Sequence, residues 1–199
     1  MRGILNCFEG LDRTGKSTQV QLTKEFIENQ LLKPTVVIRL PDRTTPIGQQ
    51  INSFLQGTSN LSIELSHLLF SANRWELKDK IEKLISQGVN VILDRYSYSG
   101  IAYSMARGLE YQWCSAPENG LPKPDIIFYL TANDQEKLFQ RGEFGNEIFE
   151  VPELQRKVKQ MYENNLIEDD WIVINALENI EFVQTEIRKK ITIVINNFD

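Results

Sequence analysis

The sequence predicts an α/β fold in which a parallel five-stranded sheet lies between two helical layers. Apolar runs of strand length alternate along the chain with segments of helical periodicity. The runs at 89–94 and 125–130 are almost entirely apolar, which is typical of strands covered on both faces. Right-handed crossovers through the intervening helices would place such strands side by side and parallel.

The individual elements follow from the apolar pattern and from the residues that interrupt it. Strands are predicted at 4–8, 36–40, 89–94, 125–130 and 171–175. Helices are predicted at 17–32, 45–55, 63–87, 152–166 and 181–194. Gly88 is the expected C-cap of the long helix at 63–87. No linker or internal repeat divides the chain, so one domain is expected over residues 1–199.

Composition and charge exclude several classes of partner. The 199 residues include 22 Lys and Arg against 27 Asp and Glu, a net charge of -5 that gives no general attraction to nucleic acid or to an anionic bilayer. Cys7 and Cys114 fit no metal-ligand spacing and indicate free thiols in a reducing compartment. No segment approaches ~18 uninterrupted apolar residues, so we expect a cytoplasmic protein without a membrane partner.

The stretch GLDRTGKS, residues 10–17, satisfies the phosphate-loop pattern G-x-x-x-x-G-K-[ST] between a predicted strand and a predicted helix. Its backbone N–H groups can surround an anion, Lys16 can reach the β- and γ-phosphates of ATP, and Ser17 can offer a hydroxyl to Mg²⁺. The alternative is a glycine-rich turn with an exposed lysine. The predicted ATP-binding residues are Gly10, Leu11, Asp12, Arg13, Thr14, Gly15, Lys16, Ser17 and Thr18.

Asp94 ends the buried run VILD at the place where phosphate-loop proteins hold magnesium. The predicted metal-binding residues are therefore Ser17 and Asp94. Taken alone, Asp94 fits a structural cap or a pair with Arg95 equally well.

Two Asp-Arg pairs, Asp42-Arg43 and Asp94-Arg95, follow consecutive predicted strands, at the sheet edge where open α/β sheets bind ligands. Guanidinium groups hold phosphate through paired charge-assisted hydrogen bonds, so Arg43 and Arg95 together indicate a second phosphate site. Taken singly, each pair is better explained as a surface ion pair, because charged pairs are common where loops begin.

Phe70 and Arg74 lie four residues apart on the long predicted helix and therefore share one face. A flat ring for a nucleobase and a donor for the edge of that base would explain both. The alternative places Phe70 in the core and extends Arg74 to solvent.

Six stretches from residue 8 to about 150 resemble, in order, the sequence blocks of thymidylate (dTMP) kinase: FEGLDRTGKSTQ, LPDRTTPIG, LLFSANRWE, ILDRYSYSGIAY, GLPKPDIIFYL and RGEFGNEIFE. The resemblance implies a P-loop nucleoside monophosphate kinase fold and a homodimer. It also implies transfer of the γ-phosphoryl group of ATP to dTMP, which yields ADP and dTDP for dTTP synthesis. An arginine within the phosphate loop, here Arg13, resembles the eukaryotic and poxvirus-like type.

The same resemblance implies individual roles. Arg13 is the catalytic arginine, joined in catalysis by Lys16, Asp94 and Arg95. Asp12 accepts the substrate 3′-OH, while Arg43 and Arg95 hold the dTMP phosphate. The implied nucleoside contacts are Phe70 stacked on thymine, Arg74 donating to its O4, Ser99 and Gly100 lining the substrate, and Tyr103 beside the sugar 2′ position. For Ser99 an N-cap role is the alternative.

Residues 141–150 resemble the lid, with Arg141 against adenine. Leu40 stands where many relatives carry Phe, and Phe149 where Tyr is frequent. His67 is expected to pack a helix rather than bind a ligand. Competing hypotheses are a deoxynucleoside kinase on the same fold and a nucleotide switch, although the chain contains no N-K-x-D guanine signature.

Overall fold

Five parallel strands form the central sheet in the order β2-β3-β1-β4-β5. The structure is a computed structural model that describes residues 2–141, 145 and 147–198. The strands are β1 (Leu5–Gly10), β2 (Thr35–Arg39), β3 (Asn90–Asp94), β4 (Ile126–Thr131) and β5 (Ile172–Asn175). In the parallel register Cys7 pairs with Leu93 on one side and with Ile127 on the other. The predicted α/β class and strand count are confirmed.

The helices connect the strands and cover both faces of the sheet. They are α1 (Lys16–Asn29), α2 (Pro46–Leu55), α3 (Ile63–Trp75), α4 (Lys78–Ser86), α5 (Ser97–Ala106), α6 (Tyr111–Ser115), α7 (Glu136–Phe139), α8 (Pro152–Met161) and α9 (Ile180–Asn197). A 3₁₀ turn spans Ala116–Glu118, and a π-helical turn at Tyr162–Leu166 extends α8. The sequence prediction assigns no bounds to α5, α6 and α7. No helix in the described part of the chain is long and apolar enough to cross a bilayer.

Side chains alternate across the sheet with the period of two that strands impose. Cys7 and Tyr129 pack with residues of α4, α5 and α8 in one buried cluster. Phe8 and Phe128 lie in the other cluster, with residues of α1 and α9, and their ring centroids are 5.0 Å apart. Both faces of the central strands are therefore buried, as their apolar runs predict.

The long helix predicted at 63–87 is wrong, because the chain forms two helices there. The break follows Trp75, where the Glu76 carboxylate accepts hydrogen bonds of 2.9 Å from Thr45 and Asn73. Before the break, α3 packs on α2 and α5, whereas after it α4 packs on β3. Gly88 follows α4 with φ +80°, as its predicted capping role requires.

Helix α3 buries a different face from the one that its apolar pattern predicts. Leu65 and Leu68 are exposed. The buried residues of the helix are polar: Ser66, His67, Ser71, Asn73 and Arg74. His67 packs between α5 and α6, since its ring contacts Ser104 Oγ at 2.8 Å and the Cys114 carbonyl at 2.9 Å.

Candidate active site

A cavity of about 390 Å³ lies at the carboxyl ends of β1, β2 and β3. The walls come from the loops after these strands and from α3 and α5. The predicted site residues that line it are Asp12, Arg13, Gly15, Lys16, Ser17, Thr18, Arg43, Phe70, Arg74, Asp94, Arg95, Ser99, Gly100 and Tyr103. Of the predicted ATP-binding residues, Gly10, Leu11, Thr14 and Arg141 do not line it.

The phosphate loop leaves β1 at Gly10, which only glycine can occupy without strain. Its φ is +137°, and a Cβ there would lie 2.1 Å from the Leu130 carbonyl oxygen. Helix α1 then begins at Lys16 without a side-chain cap. The first N–H groups of that helix are consequently donors for an anion in the loop.

Lys16 is buried beneath this loop, and its ammonium group donates to the Leu11 carbonyl and, at 3.3 Å, to Thr14 Oγ1. Burial lowers the pKa of Lys16 to about 7, and the neighbouring Arg95 charge acts in the same direction. A polyphosphate beside it would favour the charged form.

Ser17 and Asp94 meet across the loop, with the hydroxyl donating to the carboxylate at 2.8 Å. Arg39 donates to the same carboxylate oxygen at 3.1 Å. The alternative that pairs Asp94 with Arg95 is therefore wrong, because Arg95 pairs with Asp12 instead. A hydroxyl and a carboxylate are the hard oxygen donors that Mg²⁺ prefers beside substrate phosphates. The residues present thus fit a magnesium site.

Asp12 is the centre of a polar cluster between the loop and α5. It forms an ion pair with Arg95 and accepts hydrogen bonds from Tyr103 at 2.9 Å and from Gln155 at 2.6 Å. Burial raises the pKa of Asp12, but the charges of Arg95 and Lys16 outweigh it and hold that pKa below its usual value. Asp12 is therefore an ionised acceptor at neutral pH.

A buried carboxylate, Glu9, anchors the N-terminal end of α5. It accepts hydrogen bonds from the backbone N–H groups of Tyr96 at 2.8 Å and Ser99 at 3.1 Å, and from the Tyr162 hydroxyl at 2.8 Å. Ser99 lies inside α5, whose N-cap position is Tyr96. The alternative of Ser99 as an N-cap is therefore wrong, since Glu9 satisfies the N–H groups that a cap would serve.

Carboxylates from the predicted lid pair with two of the predicted arginines. Arg43 contacts Glu147 at 2.7 Å, and Arg13 contacts Glu150 at 3.2 Å. Arg141 donates to the Arg13 carbonyl at 3.2 Å, which places it beside the phosphate loop. Four residues of the predicted lid lie outside the described residues: Gly142, Glu143, Phe144 and Asn146.

The far end of the cavity is aromatic. The half-buried Phe70 ring stacks on Phe149 with centroids 6.3 Å apart, and Tyr103 lies 5.4 Å from Phe149. Arg74 is buried and forms an ion pair with Glu118, whose carboxylate accepts from Nε at 2.7 Å and from Nη2 at 2.5 Å. The alternative that extends Arg74 to solvent is therefore wrong.

The sequence model of a family described as thymidylate kinase matches residues 8–187. The chain belongs to the thymidylate kinase family. Thymidylate kinase of Dictyostelium discoideum is 51% identical over 186 residues, which cover 94% of this chain and 83% of the relative. Human thymidylate kinase is 37% identical over 193 residues, covering 94% and 89%. A solved thymidylate kinase structure from Candida albicans is similar with a TM-score of 0.86 and 37% identity, covering 98% of this chain and 93% of the other.

Polar residues of this thymidylate kinase family site that were not predicted from the sequence include Glu9, Arg39, Arg107, Glu118 and Gln155. Glu9 carried a usable signal, because an acid inside an apolar strand needs buried partners. Gln155 carried none, since it lies in a helix among charged residues whose side chains face solvent.

Proposed function

We propose that this chain is a thymidylate kinase that transfers the γ-phosphoryl group of ATP to dTMP and yields ADP and dTDP. One observation carries the proposal: a single cavity has the phosphate loop at one end and the Phe70 and Arg74 side chains at the other. Arg95 lies between them, within reach of an acceptor phosphate.

The reaction needs positioning and charge neutralisation rather than a general base, because the attacking oxygen already belongs to an anion. The loop N–H groups and Lys16 hold the ATP phosphates. Arg43 and Arg95 hold the dTMP phosphate from the opposite side. Arg13 stabilises the charge that spreads over the transferring group.

Ser17 and Asp94 would hold Mg²⁺ beside the ATP phosphates. When bound, the ion neutralises phosphate charge. The 2.8 Å separation of the two side-chain oxygens supports this role.

The nucleoside half of dTMP lies toward α3 and α5. Phe70 stacks on thymine, Arg74 donates to its O4, and Tyr103 crowds the sugar 2′ position while Ser99 and Gly100 line the wall. Asp12 accepts the 3′-OH, which its ionised state supports. Arg74 offers only donors, so the amino group of dCMP would leave them unpaired.

Residues 141–150 form the lid, and Arg141 lies against adenine. The position of Arg141 beside the phosphate loop supports its contact with adenine. We further place the protein in the cytoplasm on the strength of Cys7 and Cys114, both of which are buried free thiols.

A homodimer through α3 and α6 explains the apolar side chains that these helices expose. Leu65, Leu68, Trp75, Tyr111 and Trp113 are each 39–47% exposed. Trp113 of α6 lies 5.5 Å from the buried His67 ring of α3, so the two helices are neighbours and their exposed apolar side chains can serve one interface. Exposed apolar patches of this kind mark protein interfaces.

The decisive experiment measures ADP and phosphorylated product with ATP and each of dTMP, dCMP, dGMP and thymidine. We expect rapid dTDP formation from dTMP and much weaker activity with dCMP and dGMP. Phosphorylation of thymidine in preference to dTMP would establish a deoxynucleoside kinase instead. Slow ATP hydrolysis that is independent of any acceptor would establish a nucleotide switch.

A further inference from the structure

Glu118 is the buried counter-charge of Arg74, and the two side chains are only 7% and 4% exposed. A guanidinium has five N–H donors, and Glu118 accepts one from Nε and one from Nη2. The remaining three donors lie on the distal edge of the group, at Nη1 and Nη2. This edge is the one that remains for a ligand in the cavity that Arg74 lines.

Gly100 forms the support beneath that edge. A Cβ at this position would lie 2.6 Å from Nη2 and 2.9 Å from Nη1 of Arg74. Glu118 therefore holds the guanidinium from one side, and the bare backbone of α5 lets it lie flat on the other. A planar group held in this way has one orientation.

His67 does not share the charge of Glu118, although its Nε2 lies 4.0 Å from the carboxylate. The Cys114 carbonyl can only accept, so Nε2 carries the proton, and Nδ1 accepts from the Ser104 hydroxyl. Burial lowers the pKa of His67, with Arg74 acting in the same direction, so the ring is neutral near pH 7. Arg74 is thus the positive group that balances Glu118.

We propose that Glu118 is a positioning residue for base selection, because it orients Arg74 so that only donors face a pyrimidine edge carrying a carbonyl oxygen. Glu118 does not touch the substrate and acts through Arg74 alone. The inference rests on the proposed function, since it deepens the account of how that site distinguishes dTMP from dCMP.

The test compares Glu118→Asp with the wild type in kcat and KM for dTMP, dCMP and ATP. Aspartate keeps the charge but is one methylene shorter, so it cannot hold the Arg74 guanidinium in the same place. We expect KM for dTMP to rise about tenfold, the loss associated with one hydrogen bond to a charged group. The ratio of kcat/KM for dTMP to that for dCMP should fall similarly, while KM for ATP stays unchanged. Glu82→Asp, the same change in the exposed Lys78–Glu82 pair, should alter none of these values.

A double-variant cycle with Arg74→Lys shows whether Glu118 acts through Arg74. The double variant should discriminate between dTMP and dCMP no worse than Arg74→Lys alone, because the orienting carboxylate then has no guanidinium to orient. Gly100→Ala displaces the same group without changing a charge and should lower the same ratio.

Two results would overturn the proposal: unchanged discrimination in a Glu118→Asp variant with wild-type melting temperature, or additive losses in the double variant. If Glu118→Asp is too unstable to assay, Gly100→Ala with unchanged discrimination overturns it. A wild-type protein inactive toward dTMP would instead refute the proposed function, which keeps the two failures distinct.

Discussion

The Ser17 hydroxyl donates a 2.8 Å hydrogen bond to the carboxylate of Asp94, joining the first turn of α1 to the end of β3. The loop after one strand and the last residue of the neighbouring strand thus bring two side-chain oxygen atoms together on the same side of the cavity. This geometry is the basis of the first prediction.

Asp94→Asn should raise the Mg²⁺ concentration needed for half-maximal activity on the order of tenfold or more. The amide keeps an acceptor for Ser17 but removes the charge that attracts the cation. The measurement is a magnesium titration of the initial rate at saturating nucleotides. Asp42→Asn, in the other Asp-Arg pair, is the matched control and should leave the titration curve unchanged. A normal curve for Asp94→Asn would contradict the magnesium assignment.

Arg13→Ala should lower kcat by about 10³ while changing KM for either nucleotide much less. In its proposed role the guanidinium of Arg13 interacts most strongly with charge that develops in the transition state. Steady-state kinetics with both substrates varied will separate the effect on kcat from the effect on KM. Arg13→Lys retains a positive charge without the planar guanidinium, so its kcat should lie between those of the wild type and Arg13→Ala. A loss confined to KM would place Arg13 in binding alone.

Leu68→Glu should convert a dimer into a monomer, because it places a charge within the exposed apolar patch of α3 and α6. Sedimentation velocity at micromolar concentration measures the change. Leu32→Glu introduces the same residue at a leucine that is 82% exposed beyond the end of α1, and it should leave the dimer intact. A wild-type protein that sediments as a monomer would refute this interface.

Acidification below about pH 6.5 should destabilise the protein through His67, the only histidine in the chain. Burial and the charge of Arg74 lower its pKa in the folded state, whereas the unfolded chain titrates near 6.5. Between these pKa values the unfolded state binds more protons, so the free energy of unfolding falls as pH decreases.

Melting temperatures from pH 7.5 to 5.5 will show this fall, and His67→Gln should reduce it below pH 6.5, where Lys16, with its pKa of about 7, is mostly protonated in both states. NMR of the single imidazole provides a direct check. A pKa of 6.5 or higher in the folded protein would refute the prediction.

The parts of the fold that the sequence predicts correctly depend on local patterns. The strands of the sheet core are continuous apolar runs, and the phosphate loop is one contiguous motif whose spacing determines its shape. The long helix is wrong because the chain breaks after Trp75, where Glu76 accepts a hydrogen bond from Thr45, a residue 31 positions away. Nothing in the periodicity at 63–87 contains that contact.

The site shows the same division. Arg74 and Phe70 share a helix face and are recognisable as a pair, whereas Glu118 approaches Arg74 from 44 positions away. The polar face of α3 is buried because the cavity and its neighbours provide partners for it, and this inverts the ordinary apolar-in pattern. Contacts between residues that are far apart in the sequence, such as Arg74 and Glu118, cannot be predicted from the spacing of residues within one element.

Glu9 has a consequence for the order in which the newly made chain matures. Its buried carboxylate is bonded to groups at positions 96, 99 and 162, the last of them 153 residues downstream. While a ribosome is still synthesising the first half of the protein, this acid lacks at least its Tyr162 partner, and an acid without its full set of partners stays hydrated. Glu9 therefore gains its full set of buried partners only after translation has passed the end of α8.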